Sequence, residues 1–418
     1  MFKPIAAILF LALLVGGISG KSNETSPIQE NNGDEALRKS IESDVKELDS
    51  VIRMGKMKKE DLEKLAEAHI KDWKKAADLG WPEGFWLLGM CYKEGISEKK
   101  DDELAVNNFR KAAEQGLASA QFSLGLCYSN GKGVTQNKVE EAKWLQKSAE
   151  QGYAPAQFNL GVCYSHGNGV NEDKAEAVKW YQKAADQGFA SSQYNLGLCY
   201  AHGNGVTEDK AEAVKWYQKA AEQGFVSAQF NLGLCFDNGE GVTQDKTEAA
   251  KWYRKAAEQG DASAQFNLGV FYANGEGVTQ DKAEAVKWYR KATEQGDADA
   301  QYNLGLCYSN GKGVTKDKAE AFKWYKKAAE QGGAKAQFNL ALCYDNGEGV
   351  AQNKAEAFKW YKKAAEQGDA KAQYDLGACY FNGEGVAKDK TEALKWFQKS
   401  ADQGNKDAKD ALKRLYNK

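Results

Sequence analysis

Proline and histidine are scarce in this sequence. The 418 residues include 4 Pro and 3 His, against 42 Gly. So few prolines exclude a collagen-like chain and a proline-rich linker, and the glycines must therefore serve particular positions. The net charge is −2, from 57 basic and 59 acidic residues. This balance provides no bulk electrostatic attraction for nucleic acid or for an anionic membrane surface.

Long hydrophobic runs are absent beyond the first 20 residues. Residues 1–20 combine Lys3 with an apolar stretch at 5–15 that is too short to span a bilayer, followed by small residues. This pattern is typical of a secretory signal peptide; an uncleaved membrane anchor is the alternative. We expect an exported protein with no membrane span in its mature chain. It would be periplasmic or secreted, or in the secretory pathway lumen of a eukaryote. Residues 21–36 are polar, and we expect a disordered leader there.

The remaining sequence repeats with a period of 36 residues. The segment AQFNLGVCYSHGNGV at 156–170 has nine copies, from a divergent one at 84–97 to AQYDLGACYFNGEGV at 372–386. A second segment, such as AEAVKWYQKAAEQG at 211–224, alternates with the first. A period of this length indicates stacked supersecondary units, each of which buries its apolar face only against its neighbours.

Both segments have the spacing of α-helices. In the second, Ala213, Tyr217 and Ala220 share one face. Asp209 precedes this helix with Glu212 three residues later, which is a capping-box pattern, and a glycine follows the last apolar residue. Each repeat is therefore predicted to contain a helix A, a Gly-x-Gly-Val turn, a helix B and a short turn.

The turn GLCYSNGKGV at 125–134 superficially suggests a phosphate-binding loop. Such a loop needs a glycine five residues before its Gly-Lys pair and a Ser or Thr after it. Leu126 and Gly133 occupy those two positions. Lys132 is replaced by Asn or Glu in equivalent turns, so the turn does not require its charge. The glycines are better explained as a helix stop and a chain reversal.

The combined pattern resembles a known repeat family. A-x-x-x-L-G-x-x-Y-x-x-G-x-G-V followed by D-x-x-x-A-x-x-W-Y-x-K-A-A-E-Q-G is similar to the Sel-1-like repeat (SLR), a relative of the tetratricopeptide repeats. Residues 81–405 would hold nine such repeats. Residues 37–80 would form an N-terminal helical cap with a degenerate half repeat, and 406–418 a C-terminal capping helix. The resemblance implies an all-α, right-handed α/α superhelical solenoid with polar end caps.

The resemblance also implies a scaffold that binds a protein or peptide, without a cofactor. In related tetratricopeptide repeats helix A lines a concave groove. Matching positions here fall at i, i+4, i+7 and i+8, on one stripe of helix A. The aromatic residues at position i are Phe122, Phe158, Tyr194, Phe230, Phe266, Tyr302, Phe338 and Tyr374. The variable residues at i+7 are Ser129, Ser165, Ala201, Asp237, Ala273, Ser309, Asp345 and Phe381. The polar residues at i+8 are Asn130, His166, His202, Asn238, Asn274, Asn310, Asn346 and Asn382.

This stripe has two interpretations. Aromatic rings flanked by Asn suit the binding of an extended peptide. The apolar face of a helix usually packs in the core, and then the stripe would be structural. A wholly buried stripe would make the chain a purely structural spacer.

The eight cysteines occupy one position of helix A. Equivalent residues in adjacent parallel helices should lie about 8–10 Å apart, whereas a disulfide tolerates Cα separations only up to about 7 Å. Phe271 takes the same position in one copy. We therefore predict packing residues and no disulfide. Two of the three histidines are turn residues, and no metal site is predicted.

An enzymatic alternative rests on a short motif. Ser129-Asn130-Gly131-Lys132 and its equivalent at 309–312 match the S-x-x-K of penicillin-interacting enzymes. Some members of the SLR family have been linked to β-lactam hydrolysis. The companion S-D-N and K-T-G triplets are absent. No catalytic residue is therefore assigned, and a β-lactam-interacting hydrolase remains the alternative function.

Overall fold

Every regular element that the structure describes is an α-helix. The computed structural model describes residues 32–53 and 57–416, so the expected signal peptide and most of the expected leader lie outside the described residues. The helices are α1 Asn32–Arg53, α2 Lys59–Asp78, α3 Pro82–Glu94, α4 Asp102–Glu114, α5 Ala118–Asn130, α6 Lys138–Glu150, α7 Ala154–His166, α8 Lys174–Asp186, α9 Ala190–His202, α10 Lys210–Glu222, α11 Val226–Asn238, α12 Lys246–Glu258, α13 Ala262–Asn274, α14 Lys282–Glu294, α15 Ala298–Asn310, α16 Lys318–Glu330, α17 Ala334–Asn346, α18 Lys354–Glu366, α19 Ala370–Asn382, α20 Lys390–Asp402 and α21 Lys406–Tyr416.

The helices from α3 to α20 form nine repeats, which confirms the predicted all-α solenoid. The odd-numbered helices α3 to α19 are the A helices, and the even-numbered helices α4 to α20 are the B helices. Each B helix packs against the A helix of its own repeat and the A helix of the next. Because each repeat shares its core with its neighbours, the chain forms one continuous array. None of the described helices has the combination of length and apolar character that crossing a membrane requires.

One of the two hydrogen bonds of the predicted capping box is present at the start of helix B. The Asp209 carboxylate accepts a hydrogen bond from the Glu212 backbone N–H at 2.9 Å, as an N-cap does. The reciprocal bond is replaced, because the Asp209 N–H donates to the Tyr200 carbonyl of helix A. The Glu212 carboxylate instead pairs with Lys215 at 2.7 Å. The cap therefore ties helix B back to helix A.

The two glycines of the turn have different functions. Gly131 ends α5 with a left-handed backbone, φ 66°. Gly133 also has positive φ, and a Cβ added there would lie 1.9 Å from the Asp102 carbonyl oxygen at the start of α4. The second glycine is therefore required by contact with the preceding repeat as well as by its backbone conformation.

The glycine inside helix A makes room for an aromatic ring of helix B. A Cβ on Gly161 would lie 2.6 Å from Cε1 of Tyr181. Tyr181 is 3% exposed, and Ala341 replaces the glycine in one repeat. This close contact offsets the helix propensity lost at a mid-helix glycine, about 1 kcal/mol.

A buried glutamine of the A helices, from α5 to α19, joins successive helices of the array. Gln157 of α7 is 4% exposed. Its Nε2 donates to the Ala149 carbonyl near the end of α6 at 3.1 Å. Its Oε1 accepts from Gln187, the residue that follows α8, at 2.7 Å. The same arrangement recurs at Gln121, Gln193, Gln229, Gln265, Gln337 and Gln373, and Gln301 accepts the equivalent bond from Gln331. The glutamine satisfies backbone and side-chain groups that would otherwise be buried without partners.

The N-terminal cap is polar on one side and apolar on the other. Helix α1 begins at Asn32, so residues 32–36, expected in the leader, belong to the helix, whose first turn carries Asp34 and Glu35. Acidic residues in a first turn favour a helix start. Leu37, Ile41 and Leu48 are buried on its inner side. The apolar stripe explains why α1 packs on the solenoid.

We predict that Gln157→Leu destabilises the array by about 1–3 kcal/mol, because it leaves the Ala149 carbonyl at this buried point without its partner and removes the acceptor of Gln187. Gln146→Leu is the matched control, since Gln146 lies on the exposed side of α6 and bonds only Glu150. Urea denaturation followed by circular dichroism measures both. Equal midpoints for the two variants would contradict a structural function for the buried glutamine.

We also predict that Gly169→Ala is far more destabilising than Gly152→Ala. Both residues have positive φ, 72° and 86°, so alanine pays a similar backbone cost of about 1–2 kcal/mol at each. At Gly169 the Cβ would also lie 1.8 Å from the Lys138 carbonyl oxygen, whereas nothing lies within 4 Å at Gly152. Thermal unfolding midpoints compare the two variants. A smaller loss at Gly169 would show that the repeats can separate there without cost.

Candidate interaction face

The predicted stripe forms a continuous surface along the A helices, here called the A-helix face. It consists of the aromatic residues, the variable residues and the polar residues named above for α5 to α19. Its aromatic members are half-buried, except for Phe122, which is 9% exposed. The variable members are also half-buried, apart from Phe381 at 37%. The polar members at i+8 are exposed. From Phe158 to Tyr374, each ring thus packs on one side and is accessible on the other.

The aromatic residues pack first against helix B. The rings of Phe158 and Tyr181 are 5.9 Å apart, and equivalent pairs recur through Tyr374 and Phe397 at 5.6 Å. Offset or tilted pairs at this distance are favourable. This contact orients each aromatic residue of the A-helix face and is the reason why it cannot be wholly exposed.

A second set of aromatic contacts is confined to the first repeats. Three aromatic residues at the N-caps of α7, α9 and α11 lie beside a ring of the preceding A helix. The three aromatic pairs are Phe122–Tyr153 at 5.4 Å, Phe158–Phe189 at 5.5 Å and Tyr194–Phe225 at 5.1 Å. From α13 onward the N-cap residues are Asp261, Asp297, Gly333 and Asp369. The edge of the A-helix face therefore changes from aromatic to mainly acidic along the array.

The variable residues contact polar groups at each junction. Ser129 Oγ accepts from Lys138 Nζ at 3.0 Å. Asp237 takes the equivalent position and pairs with Lys246, and its Oδ2 accepts from the Tyr253 hydroxyl at 3.0 Å. The buried Tyr253 thus supports this surface from beneath through its hydroxyl. Our sequence analysis placed Tyr253 and its equivalents only on one face of helix B; their 36-residue spacing alone does not show where the hydroxyl lies.

The polar residues at i+8 complete the end of helix A. Asn130 Nδ2 donates to the Leu126 carbonyl at 3.1 Å, and Nδ1 of His166 lies 3.0 Å from the Val162 carbonyl oxygen. Asn274 and Asn382 instead bond the glutamate two residues later. Their exposure leaves them accessible, but their local bonds explain their recurrence without a ligand.

Helix α1 covers the first part of the A-helix face. Ile52 packs against the cluster that contains Phe122 and Tyr153, and the Tyr153 hydroxyl and Asp49 Oδ1 are 2.7 Å apart. Tyr153 is 3% exposed, whereas Phe189 and Phe225 at the equivalent positions are only half-buried. Ile52 also borders a cleft lined by Phe122, Leu126 and Asn130. An amphipathic helix of this chain therefore already occupies part of the predicted binding surface.

Helix α1 is anchored to α2 through a buried carboxylate. Asp44 is 3% exposed. Asp44 Oδ2 accepts a hydrogen bond from Trp73 Nε1 at 2.8 Å. Asp44 Oδ1 lies 2.8 Å from His69 Nδ1. These bonds satisfy a group that would otherwise be costly to bury. They also give His69 a structural position in the cap.

The last junction carries a carboxylate where the A helices α7 to α17 have the amide of an asparagine. Asn195 and Asn231 hydrogen-bond the hydroxyls of Tyr181 and Tyr217, and Asp375 replaces this Asn in α19. Burial raises the pKa of Asp375 to about 7, and the nearby carboxylates of Asp345, Asp369 and Asp407 add to the effect.

The other residues with possible chemistry have structural partners. Ser129 contacts Lys138 instead of Lys132 of its motif, and Lys138 is also paired with Glu141 at 2.8 Å. The eight cysteines are free thiols, five of them buried and three half-buried. Burial raises the pKa of the Cys91 thiol to about 12 and that of Cys127 to about 11. The thiols are therefore protonated at neutral pH and weak nucleophiles.

We predict that Asp375→Asn stabilises the protein in a pH-dependent way. The folded pKa of about 7 lies above the ordinary aspartate pKa of 3.8. The wild type therefore loses stability as pH rises from about 4 to about 7, because the unfolded chain ionises first. The variant should match the wild type near pH 4 and exceed it by about 2–4 kcal/mol above pH 7. Urea titrations at several pH values test this.

The control is Asp299→Asn, since Asp299 is exposed at the start of α15. It should change stability by less than about 0.5 kcal/mol at every pH. A constant difference between Asp375→Asn and the wild type across the pH range would refute the raised pKa.

Comparison with known proteins agrees with this architecture. The Sel1 repeat model matches nine consecutive segments, from residues 86–117 to 370–405. A protective antigen of uropathogenic Escherichia coli with an SLR fold is 34% identical; the match covers 91% of this chain and 89% of that one, with a TM-score of 0.64. A Sel1 repeat protein from Oxalobacter formigenes is 37% identical over 74% of this chain and 89% of that one, with a TM-score of 0.58. No curated protein matches. The chain belongs to the Sel1 repeat family.

Proposed function

We propose that this protein is an exported scaffold that binds a protein partner along the A-helix face, which forms the concave side of the solenoid. Sel1 repeat solenoids are typically protein-interaction scaffolds. The observation that carries the proposal is that α1 lies on the first part of this face. A surface that buries one amphipathic helix of its own chain has the shape and apolar character to bury another segment. The pattern at residues 1–20 supports export.

The composition of the face favours protein binding. Tyr and Phe are enriched at protein interfaces, because they combine a large contact area with few rotatable bonds. The half-buried rings are held by the tyrosines of helix B, so little conformational entropy is lost when a partner packs on them. The exposed Phe381 extends the apolar surface toward the C-terminal end.

Site-specific photo-crosslinking tests the proposal. We predict that benzoylphenylalanine at Tyr194, Phe230 or Phe381 crosslinks a discrete partner when intact cells that express the full chain are irradiated. Leu104 and Val139 are the matched controls, since they are exposed apolar residues, at 42% and 50%, on the B helices. Crosslinked products are identified by mass spectrometry in separate exported and cytosolic fractions.

The outcomes separate the parts of the proposal. Products from the A-helix face alone would support it. Products from Leu104 and Val139 alone would place the interaction on the B helices and overturn it. Absence of products at every position would argue for a structural spacer. Recovery of the chain only in the cytosolic fraction would contradict export.

A further inference from the structure

The covered and uncovered parts of the A-helix face are built alike over three repeats. Each of the three aromatic pairs joins a ring of an A helix to the N-cap residue of the next A helix. Helix α1 covers the Phe122–Tyr153 pair. The Phe158–Phe189 and Tyr194–Phe225 pairs have similar ring separations but remain half-buried. The surface that receives α1 is thus repeated twice beyond the end of α1.

The binding mode of α1 indicates the kind of segment that fits. Its inner side carries Leu37, Ile41 and Leu48, with Ile52 against the first aromatic pair. The spacing of four and seven residues is that of one helix face. A helix of 22 residues is about 33 Å long, and in this chain it reaches from α3 to α7. A second helix of similar length can continue over the next three A helices.

The far end of this surface is acidic instead of aromatic. Beyond Phe225, the N-cap residues are Asp261 and Asp297, and both are half-buried. Each carboxylate accepts one bond from a backbone N–H of its helix, at 2.7 Å. Burial raises the pKa of Asp297, and the nearby Asp299 contributes. A basic side chain placed here would stabilise these carboxylates. Basic residues are also favoured at the C-terminal end of a helix.

We propose that the Phe158–Phe189 and Tyr194–Phe225 pairs bind an amphipathic α-helix of a partner protein, laid end to end with α1 and in the same direction. Its apolar stripe packs on the two aromatic pairs, and basic residues in its last turns lie beside Asp261 and Asp297. This inference rests on the proposed function and specifies the ligand class. The last A helices, α17 and α19, are outside the site.

The test uses the full chain and synthetic fluorescent peptides. The probe peptide has the sequence of residues 32–53 with Glu47→Lys and Asp49→Lys, so that its C-terminal end is basic. The control peptide carries the same two changes together with Ile41→Ser and Leu48→Ser, which remove the apolar stripe. A third peptide has the unaltered α1 sequence. Fluorescence anisotropy measures the affinity of each.

The probe peptide should bind at least about tenfold more tightly than the control peptide, because apolar residues supply most of an interface's binding energy. Phe189→Ser and Phe225→Ser in the chain should each lower the affinity for the probe peptide by about tenfold. Phe338→Ser is the matched control, since Phe338 is a half-buried aromatic of the same face in α17, and it should leave the affinity unchanged. Circular dichroism verifies that each variant is folded.

A second pair of variants tests the charged end without removing core side chains. Asp261→Asn and Asp297→Asn retain the N-caps, because Asn is an equally good capping residue. Together they should lower the affinity for the probe peptide by about threefold or more and leave the affinity for the unaltered α1 peptide unchanged.

Equal affinities of the probe and control peptides would overturn the inference. So would binding that is insensitive to Phe189→Ser and Phe225→Ser, which would place the peptide elsewhere, for example on the surface that α1 occupies. If the A-helix face crosslinks a partner while the peptides fail, the proposed function stands and the helical ligand is wrong. If both fail, the proposed function is wrong as well.

Discussion

The buried glutamine of the A helices α5 to α19 is the interaction on which the array depends. One amide side chain donates to the end of the preceding B helix and accepts from the residue that follows its own B helix, as Gln157 does between α6 and α8. Three helix ends are therefore fixed to one another at a point with 4% exposure. Because a buried amide left without partners is costly, only one relative placement of successive repeats satisfies all the groups. The 36-residue period of the sequence becomes a constant step of the solenoid through this contact.

Because the helices pack in the same way in each repeat, the residues that vary at the N-caps and junctions determine the character of the A-helix face. Helix A presents an aromatic ring to a ring of helix B in every repeat from α7 onward, and the glycine that admits the helix B ring is replaced only by Ala341 there. The residues that differ are those at the N-caps and the junctions. Tyr153, Phe189 and Phe225 form an aromatic edge, and Asp261 and Asp297 follow it. A surface with such a gradient would distinguish the two ends of the proposed ligand, while the repeats beneath it remain nearly identical.

Helix α1 links the stability of the array to its proposed function. It covers the first A helices, as a capping element must when a terminal repeat has no neighbour. It does so by inserting an apolar stripe along the A-helix face, with Asp44 held by Trp73. The cap and the proposed ligand thus use the same physical contact, an amphipathic helix crossing a row of A helices.

Much of this protein follows from the sequence by itself. The period of 36 residues, the Gly stops and the Asp caps predicted the helices and their order, because these signals act within a few residues of one another. The aromatic stripe was also predicted, since helical spacing shows which residues share a face. Three features depended on tertiary structure. The exposure of the rings is decided by Tyr181 and its equivalents in helix B. The Asp209 N–H bonds a carbonyl of helix A, which removes the second half of the capping box. The position of α1 on the A-helix face brings Asp49 to Tyr153, 104 residues away. No local pattern encodes such a contact, because it forms only when the stacked repeats place distant residues side by side.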